Sequence, residues 1–191
     1  MARIDDTPGY LTGQLLIAMP QMQDTRFERS VIFLCVHNQD GAMGLIVNRL
    51  SQDLAFPELL EQVGVERTPD QISVPVHIGG PVETGMGFVL HTNDYEQANT
   101  IKVNESISLT HTVEILKDIA EGRGPRQAML ALGYAGWGAG QLDSEIQENT
   151  WLNAPADESL IFDALQQDKW QRSIAKLGID ISLLSGEAGH A

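Results

Sequence analysis

Residues 133–140 read GYAGWGAG, with Gly133, Gly136, Gly138 and Gly140 interleaved with Tyr134 and Trp137. Glycine gives up more backbone entropy on folding than any other residue. A cluster therefore implies unusual backbone angles or close approach by another group. A glycine-rich turn ahead of a helix can cradle a phosphate, but the known signatures fail here. A P-loop requires Lys and then Ser or Thr after its second glycine, whereas Ala139 and Gly140 follow Gly138. The dinucleotide fingerprint requires a third glycine at position 141, which is Gln141. Asp143 and Glu145 fall in the first turns of the following helix, where they answer its positive end and repel an incoming phosphate. The segment is expected to be a tight turn in which Trp137 packs on backbone.

His37, His77 and His91 each stand at or near the end of an apolar run. On neighbouring strands, three imidazoles could meet at one sheet edge and hold a metal or move protons. No two of them share an i, i+4 helix face, and polar residues commonly close strands for structural reasons, so no metal or cofactor is expected. His111, between Thr110 and Thr112, reads as a helix-start residue. Cys35 lies inside VIFLCV, where a thiol behaves as a small inert hydrophobe. No Gly-x-Ser-x-Gly elbow supports Ser/His/Asp catalysis. Asp143 and Glu145 are two apart on a helix, point in different directions and are expected on a solvated face. Asn48 and Arg49 close an apolar strand, so the guanidinium can meet a carboxylate in two-pronged fashion or bond to a neighbouring loop.

The elements that must position these groups follow from periodicity and punctuation. Residues 15–19 and 31–36 are short apolar runs rich in β-formers. The Asp40-Gly41 pair and the run at 45–47 then make 31–48 a hairpin. Residues 53–63 are helical, with Phe56, Leu59, Leu60 and Val63 on one face, Pro57 near the start and Gly64 as the stop. Strands are expected at 74–78, 87–91 and 101–103, with Gly79-Gly80-Pro81 as a loop between the first two. A helix over 110–120 ends at Gly122, Gly124 and Pro125, and 128–132 reads as a strand covered on both faces. A short helix follows with Leu142 and Ile146 inward and Asn149 as its end. Helices around 160–165 and 169–177, the latter stopped by Gly178, precede a strand at 179–184. Residues 1–10 and 185–191 are expected to be flexible. Strands adjacent in sequence with helices grouped later argue for α+β.

A chain of 191 residues with 42% hydrophobic and 20% charged residues has the composition of one soluble globular domain spanning 1–191. No apolar run approaches bilayer length, and the acids and proline of MARIDDTPGY are unlike a signal peptide. A single cysteine permits no internal disulfide. Together these imply the cytoplasm. Twelve basic against 26 acidic side chains leave a net charge of -14, which repels nucleic acid and anionic membranes.

Four blocks, taken together, resemble the bacterial YqgE/AlgH family along nearly the whole chain: GQLLIAMP (13–20), GAMGLIVNR (41–49), GGPV with GFVLH (79–82, 87–91) and LGYAGWGAGQLDSEIQENTWL (132–152). Leu50 departs from the proline many relatives carry there. The resemblance implies an α+β fold: a bent, largely antiparallel sheet curled into a partial barrel with helices packed around it. It implies no established reaction, and some members carry the label of transcriptional regulator. The leading expectation is a non-enzymatic protein that binds another protein. Its candidate binding surface comprises Asn48, Arg49, Gly79, Gly80, His91, Tyr134 and Trp137. The alternatives are a transcriptional regulator, with direct DNA contact opposed by charge, and an enzyme built on the strand-end histidines.

Overall fold

Strands β1 (Gln14–Ala18), β2 (Val31–Asn38) and β3 (Gly41–Ile46) are apolar at nearly every position because both of their faces are covered. Leu15, Ile17, Val31, Phe33 and Leu45 enter a central core, while Leu16, Ile32, Leu34 and Ile46 point the other way into a second one. The computed structural model describes residues 9–163 and 166–184. Its β2 and β3 pair from Ile32–Ile46 to Asn38–Gly41, with a bulge after Leu34, which is the hairpin expected for 31–48. Cys35 lies at that bulge, fully buried, and burial pushes its thiol well above the usual range.

The chain continues through α1 (Phe56–Gln62), β4 (Val76–Ile78), β5 (Val82–Thr92), β6 (Ile101–Lys102), β7 (Ile107–Thr110), α2 (Val113–Ala120), β8 (Ala128–Gly138), α3 (Gln141–Gln147), β9 (Trp151–Pro155), α4 (Glu158–Phe162), α5 (Lys169–Lys176) and α6 (Ile181–Leu184). The strands lie in the order β6-β7-β5-β8-β3-β2-β1-β9, antiparallel throughout, and β4 pairs in parallel with β8. The sheet is bent into a partial barrel around the central core, which gathers Phe33 and Leu45 with Leu90, Leu109 and Met129, and Trp170 and Ile174 of α5. Outside it, α3 closes over Ala135 and Trp151 through Leu142, while α1 and α2 close over Val76, Val89 and Leu130. The fold is α+β.

Strand β8 joins the two halves of the sheet. Its first half pairs with β4 on one side and β5 on the other, and its second half pairs with β3. Met129 and Ala131 face the central core with Leu130 outward, whereas beyond Gly133 it is Tyr134 that faces inward and Ala135 and Trp137 that face outward. The alternation has slipped by one residue. Gly133, at φ +72°, is the extra residue that absorbs the slip. The expected turn at 133–140 is therefore corrected: the strand runs through to Gly138, and only Ala139 and Gly140 turn. Glycine was read as a breaker, but here it permits a bulge within a continuous strand.

Gly64, Gly122 and Gly178 all have positive φ and end helices where expected, and Asn149, at φ +57°, follows α3. Two strands were not foreseen, β7 and β9, and the helix expected over 110–120 begins only at Val113. Residues 179–184 are a second correction. Asp180 accepts a hydrogen bond from the Ser182 amide at 2.9 Å and starts α6 in place of a strand. Of the helix expected around 160–165, α4 covers the first part, and 164–165 lie outside the described residues, as do 1–8 and 185–191.

Helix α5 buries a cation. Lys169 is fully enclosed, and its Nζ donates to the carbonyls of Val47 and Ile161 at 2.8 Å each. Burial lowers its pKa from 10.5 to about 8. Between those values the unfolded chain holds a proton that the folded chain has lost, so stability rises with pH. Across that interval the wild type is expected to gain about 2 kcal/mol relative to Lys169→Met, allowing for the two carbonyl bonds that favour the ammonium. Urea unfolding of both proteins at stepped pH measures the difference. Parallel profiles would refute it.

Candidate binding surface

Gly79 and Gly80 run directly against β8. A β-carbon on Gly79 would stand 2.3 Å from the Gly133 oxygen, and one on Gly80 would stand 2.1 Å from the Tyr134 carbonyl carbon. Backbone thus packs on backbone, and the crossing holds Tyr134 at the open mouth of the barrel. There the Tyr134 and Phe88 rings meet edge to face, with centroids 5.9 Å apart. An open groove of about 650 Å³ lies beside them, lined by Val36, Met43, Val82, Met86, Tyr134 and Trp137 among others, and by the exposed acids Asp40 and Glu83. Its outer wall protrudes because β5 places four residues, 83–86, between Val82 and Gly87, where β8 places only Gly133 between their partners. Val82 and Met86 are consequently 36% and 39% exposed. Apolar side chains held out in this way mark an interaction surface more often than chance.

A cleft of about 350 Å³ shares Val82, Gly136 and Trp137 with the groove and is walled by Glu145 and Trp151. The Glu145 Oε2 accepts the indole N–H of Trp137 at 2.9 Å and that of Trp151 at 2.8 Å, while Oε1 accepts from Gln141 Nε2 at 2.9 Å. The two indoles meet edge to face at 6.0 Å. Trp137 therefore packs edge to face on Trp151, and Glu145 is a structural acceptor and not part of a solvated face. Glu145 sits on α3 and Trp151 on β9, and no local spacing announced their meeting.

The expected surface residues do not form one site. Tyr134 and Trp137 line the groove, with Gly79 and Gly80 buried at the crossing beneath it. Asn48 and Arg49 line a separate pocket and bond to a loop. Asn48 Oδ1 accepts from the Val31 amide at 2.9 Å, and its Nδ2 donates to the Arg29 carbonyl at 2.8 Å. His91 is fully buried. Its Nδ1 lies 2.9 Å from the Thr92 carbonyl and its Nε2 2.8 Å from the Thr110 hydroxyl, and burial lowers its pKa.

Nor do the histidines converge. His91 pairs with Ala128 and His77 with Ala131, at the start of β8; His37 pairs with Ala42, which pairs with Trp137 at its far end. Along β8, nine residues separate the levels of His91 and His37, about 30 Å at 3.3 Å per residue, and six separate those of His77 and His37, about 20 Å. Among the described residues no group of three or more His, Cys, Asp or Glu is placed to hold a metal.

A profile of the AlgH-like family matches residues 15–182. This chain belongs to the AlgH-like family. It is 52% identical to a UPF0301 protein of Rhodospirillum rubrum over 96% of this chain and 95% of that one. It is 55% identical to a UPF0301 protein of Bradyrhizobium over 96% and 88%. The solution structure of the AlgH protein from Pseudomonas aeruginosa superposes with a TM-score of 0.78 at 40% identity, covering all of both chains. A Corynebacterium diphtheriae protein, at 22% identity and a TM-score of 0.75 over 97% and 94%, shares the fold. Among the described residues of this AlgH-like chain, no helix is long and apolar enough to cross a membrane.

Proposed function

We propose that this AlgH-like protein acts in the cytoplasm by binding another protein, without catalysing a reaction, and that the groove beside Tyr134 and Trp137 takes the partner. The observation that carries this reading is the protrusion at 82–86, which holds Met86 out over an apolar floor. Asp40 and Glu83 flank that floor in a chain of net charge -14, so the complementary partner is a polypeptide segment with an apolar anchor between lysines or arginines. The separation of the three histidines favours binding over an acid/base site. Any role in regulation runs through a protein intermediary, since the charge opposes direct DNA contact. The cytoplasmic placement rests on the ordinary soluble composition and the lone cysteine.

Selection from a displayed random-peptide library tests the proposal. Wild-type protein is expected to enrich apolar residues flanked by Lys or Arg. Met86→Asp, at an exposed position, should keep the melting temperature and lose the enrichment. No enrichment by the wild type, or the same enrichment by Met86→Asp, would overturn the reading.

A further inference from the structure

Acids outnumber bases 26 to 12, so a basic side chain here is expected to find a carboxylate. Among the described residues, Arg26, Arg67, Arg123, Arg126 and Arg172 each do, through Asp24, Glu58 with Glu61, Asp118 with Glu121, Glu158 and Asp163 respectively. Arg29 and Arg49 form no ion pair among the described residues, and both line one pocket of about 200 Å³ together with Glu28, Asn48, Gln166 and Trp170. Arg49 is held in place by donating to the carbonyls of Arg26 at 2.5 Å and Glu28 at 3.3 Å, which leaves further guanidinium N–H groups for a ligand. The Arg29 guanidinium is poised 5.4 Å from the centroid of the Trp170 ring. Its backbone sits at φ +53°, a left-handed conformation costly to any residue with a β-carbon, and Asn48 pins the turn that follows by donating to the Arg29 carbonyl and accepting from the Val31 amide.

Gln166 closes one side of the pocket: its Nε2 donates to the Asp163 carbonyl at 3.0 Å, and its Oε1 is turned inward to the buried His77 ring. Two guanidinia in a pocket that holds one carboxylate, Glu28, suit an oxyanion.

We propose that this pocket, between the 26–30 loop, Asn48 and Arg49, and the start of α5, binds a phosphate group, either free or as the monoester of a hydroxyl-bearing small molecule. It is separate from the groove assigned to a protein partner and does not depend on that assignment. Arg29 and Arg49 grip the phosphate oxygens.

Titration of nitrogen-labelled protein with inorganic phosphate, and separately with ribose 5-phosphate, followed by NMR of the arginine Nε–H and glutamine side-chain signals, tests this. Saturable shifts at Arg29, Arg49 and Gln166 are expected. Arg29→Gln, at an exposed position whose side chain makes no hydrogen bond among the described residues, should weaken binding by at least ~10-fold, while Arg26→Gln, on a guanidinium already paired, should weaken it far less. Tighter binding of ribose 5-phosphate identifies an ester as the ligand class, and equal or weaker binding identifies free phosphate. Absence of saturation up to about 20 mM, identical shifts from chloride at matched ionic strength, or undiminished binding by Arg29→Gln would overturn the proposal.

Discussion

Replacing Gly133 with alanine is expected to cost about 4 kcal/mol of stability, near the upper end for a single substitution. Two physical terms combine. At φ +72° a residue with a β-carbon clashes with its own following carbonyl, a penalty of roughly 1–2 kcal/mol. The new atom would also stand 2.5 Å from the Gly80 oxygen and 3.0 Å from the Val82 oxygen, both of them backbone atoms that no rotamer change can move aside. Relief would require removing the bulge, which would turn Tyr134 outward and send Ala135 and Trp137 into the central core. Gly136→Ala is the control: its β-carbon would meet only the Tyr134 ring, 3.3 Å away, and it is expected to cost less than about 1 kcal/mol. Urea unfolding gives both numbers. A loss below about 1 kcal/mol for Gly133→Ala would show that the bulge is not required.

Glu145→Leu is expected to cost about 3 kcal/mol. The Trp137 and Trp151 indoles, 8% and 2% exposed, would both lose their acceptor, and a buried donor left without a partner costs about 1–3 kcal/mol. Glu145→Gln should cost less than about 1 kcal/mol, because a single amide oxygen can take the place of the one carboxylate oxygen that serves both indoles. The two tryptophans report on their own surroundings, so a red-shifted native emission in the Leu variant and a near-native one in the Gln variant complete the expectation. Equal losses in the two variants would mean that charge, and not the acceptor, holds the pair. The same carboxylate orients Trp137, which lines the groove proposed for the partner, so this contact joins stability to binding.

Local reading reached the β2–β3 hairpin because the run VIFLCV and the Asp40-Gly41 turn are adjacent, and it placed the helix stops because Gly64, Gly122 and Gly178 act within one turn of their helices. It missed β9, since NTWLNAP has no alternation and becomes a strand only by pairing with β1, more than 130 residues earlier. It misread 179–184 because four apolar residues fit a strand as readily as a helix, and Asp180 decides between them. Of the expected surface, the aromatic–glycine pattern singled out Tyr134 and Trp137, and the fold sets both along one groove. Arg29 and Met86 carried no local signal, because their roles depend on residues far along the chain, and Glu145 meets Trp137 and Trp151, eight and six residues away, through no helix or strand period.

Alone, the sequence determined the α+β class, the family, the hairpin, the ends of the helices and the acidic net charge. These depend on neighbouring residues or on composition, and short-range sterics and summed charge need no fold to express them. Tertiary structure decided that the glycines continue a strand, that the three histidines do not gather at one site, and that, among the described residues, Arg29 and Arg49 form no ion pair. Each of those outcomes turns on which distant segment comes to lie across the sheet. Periodicity tells what a face must bury, and only long-range pairing determines what buries it.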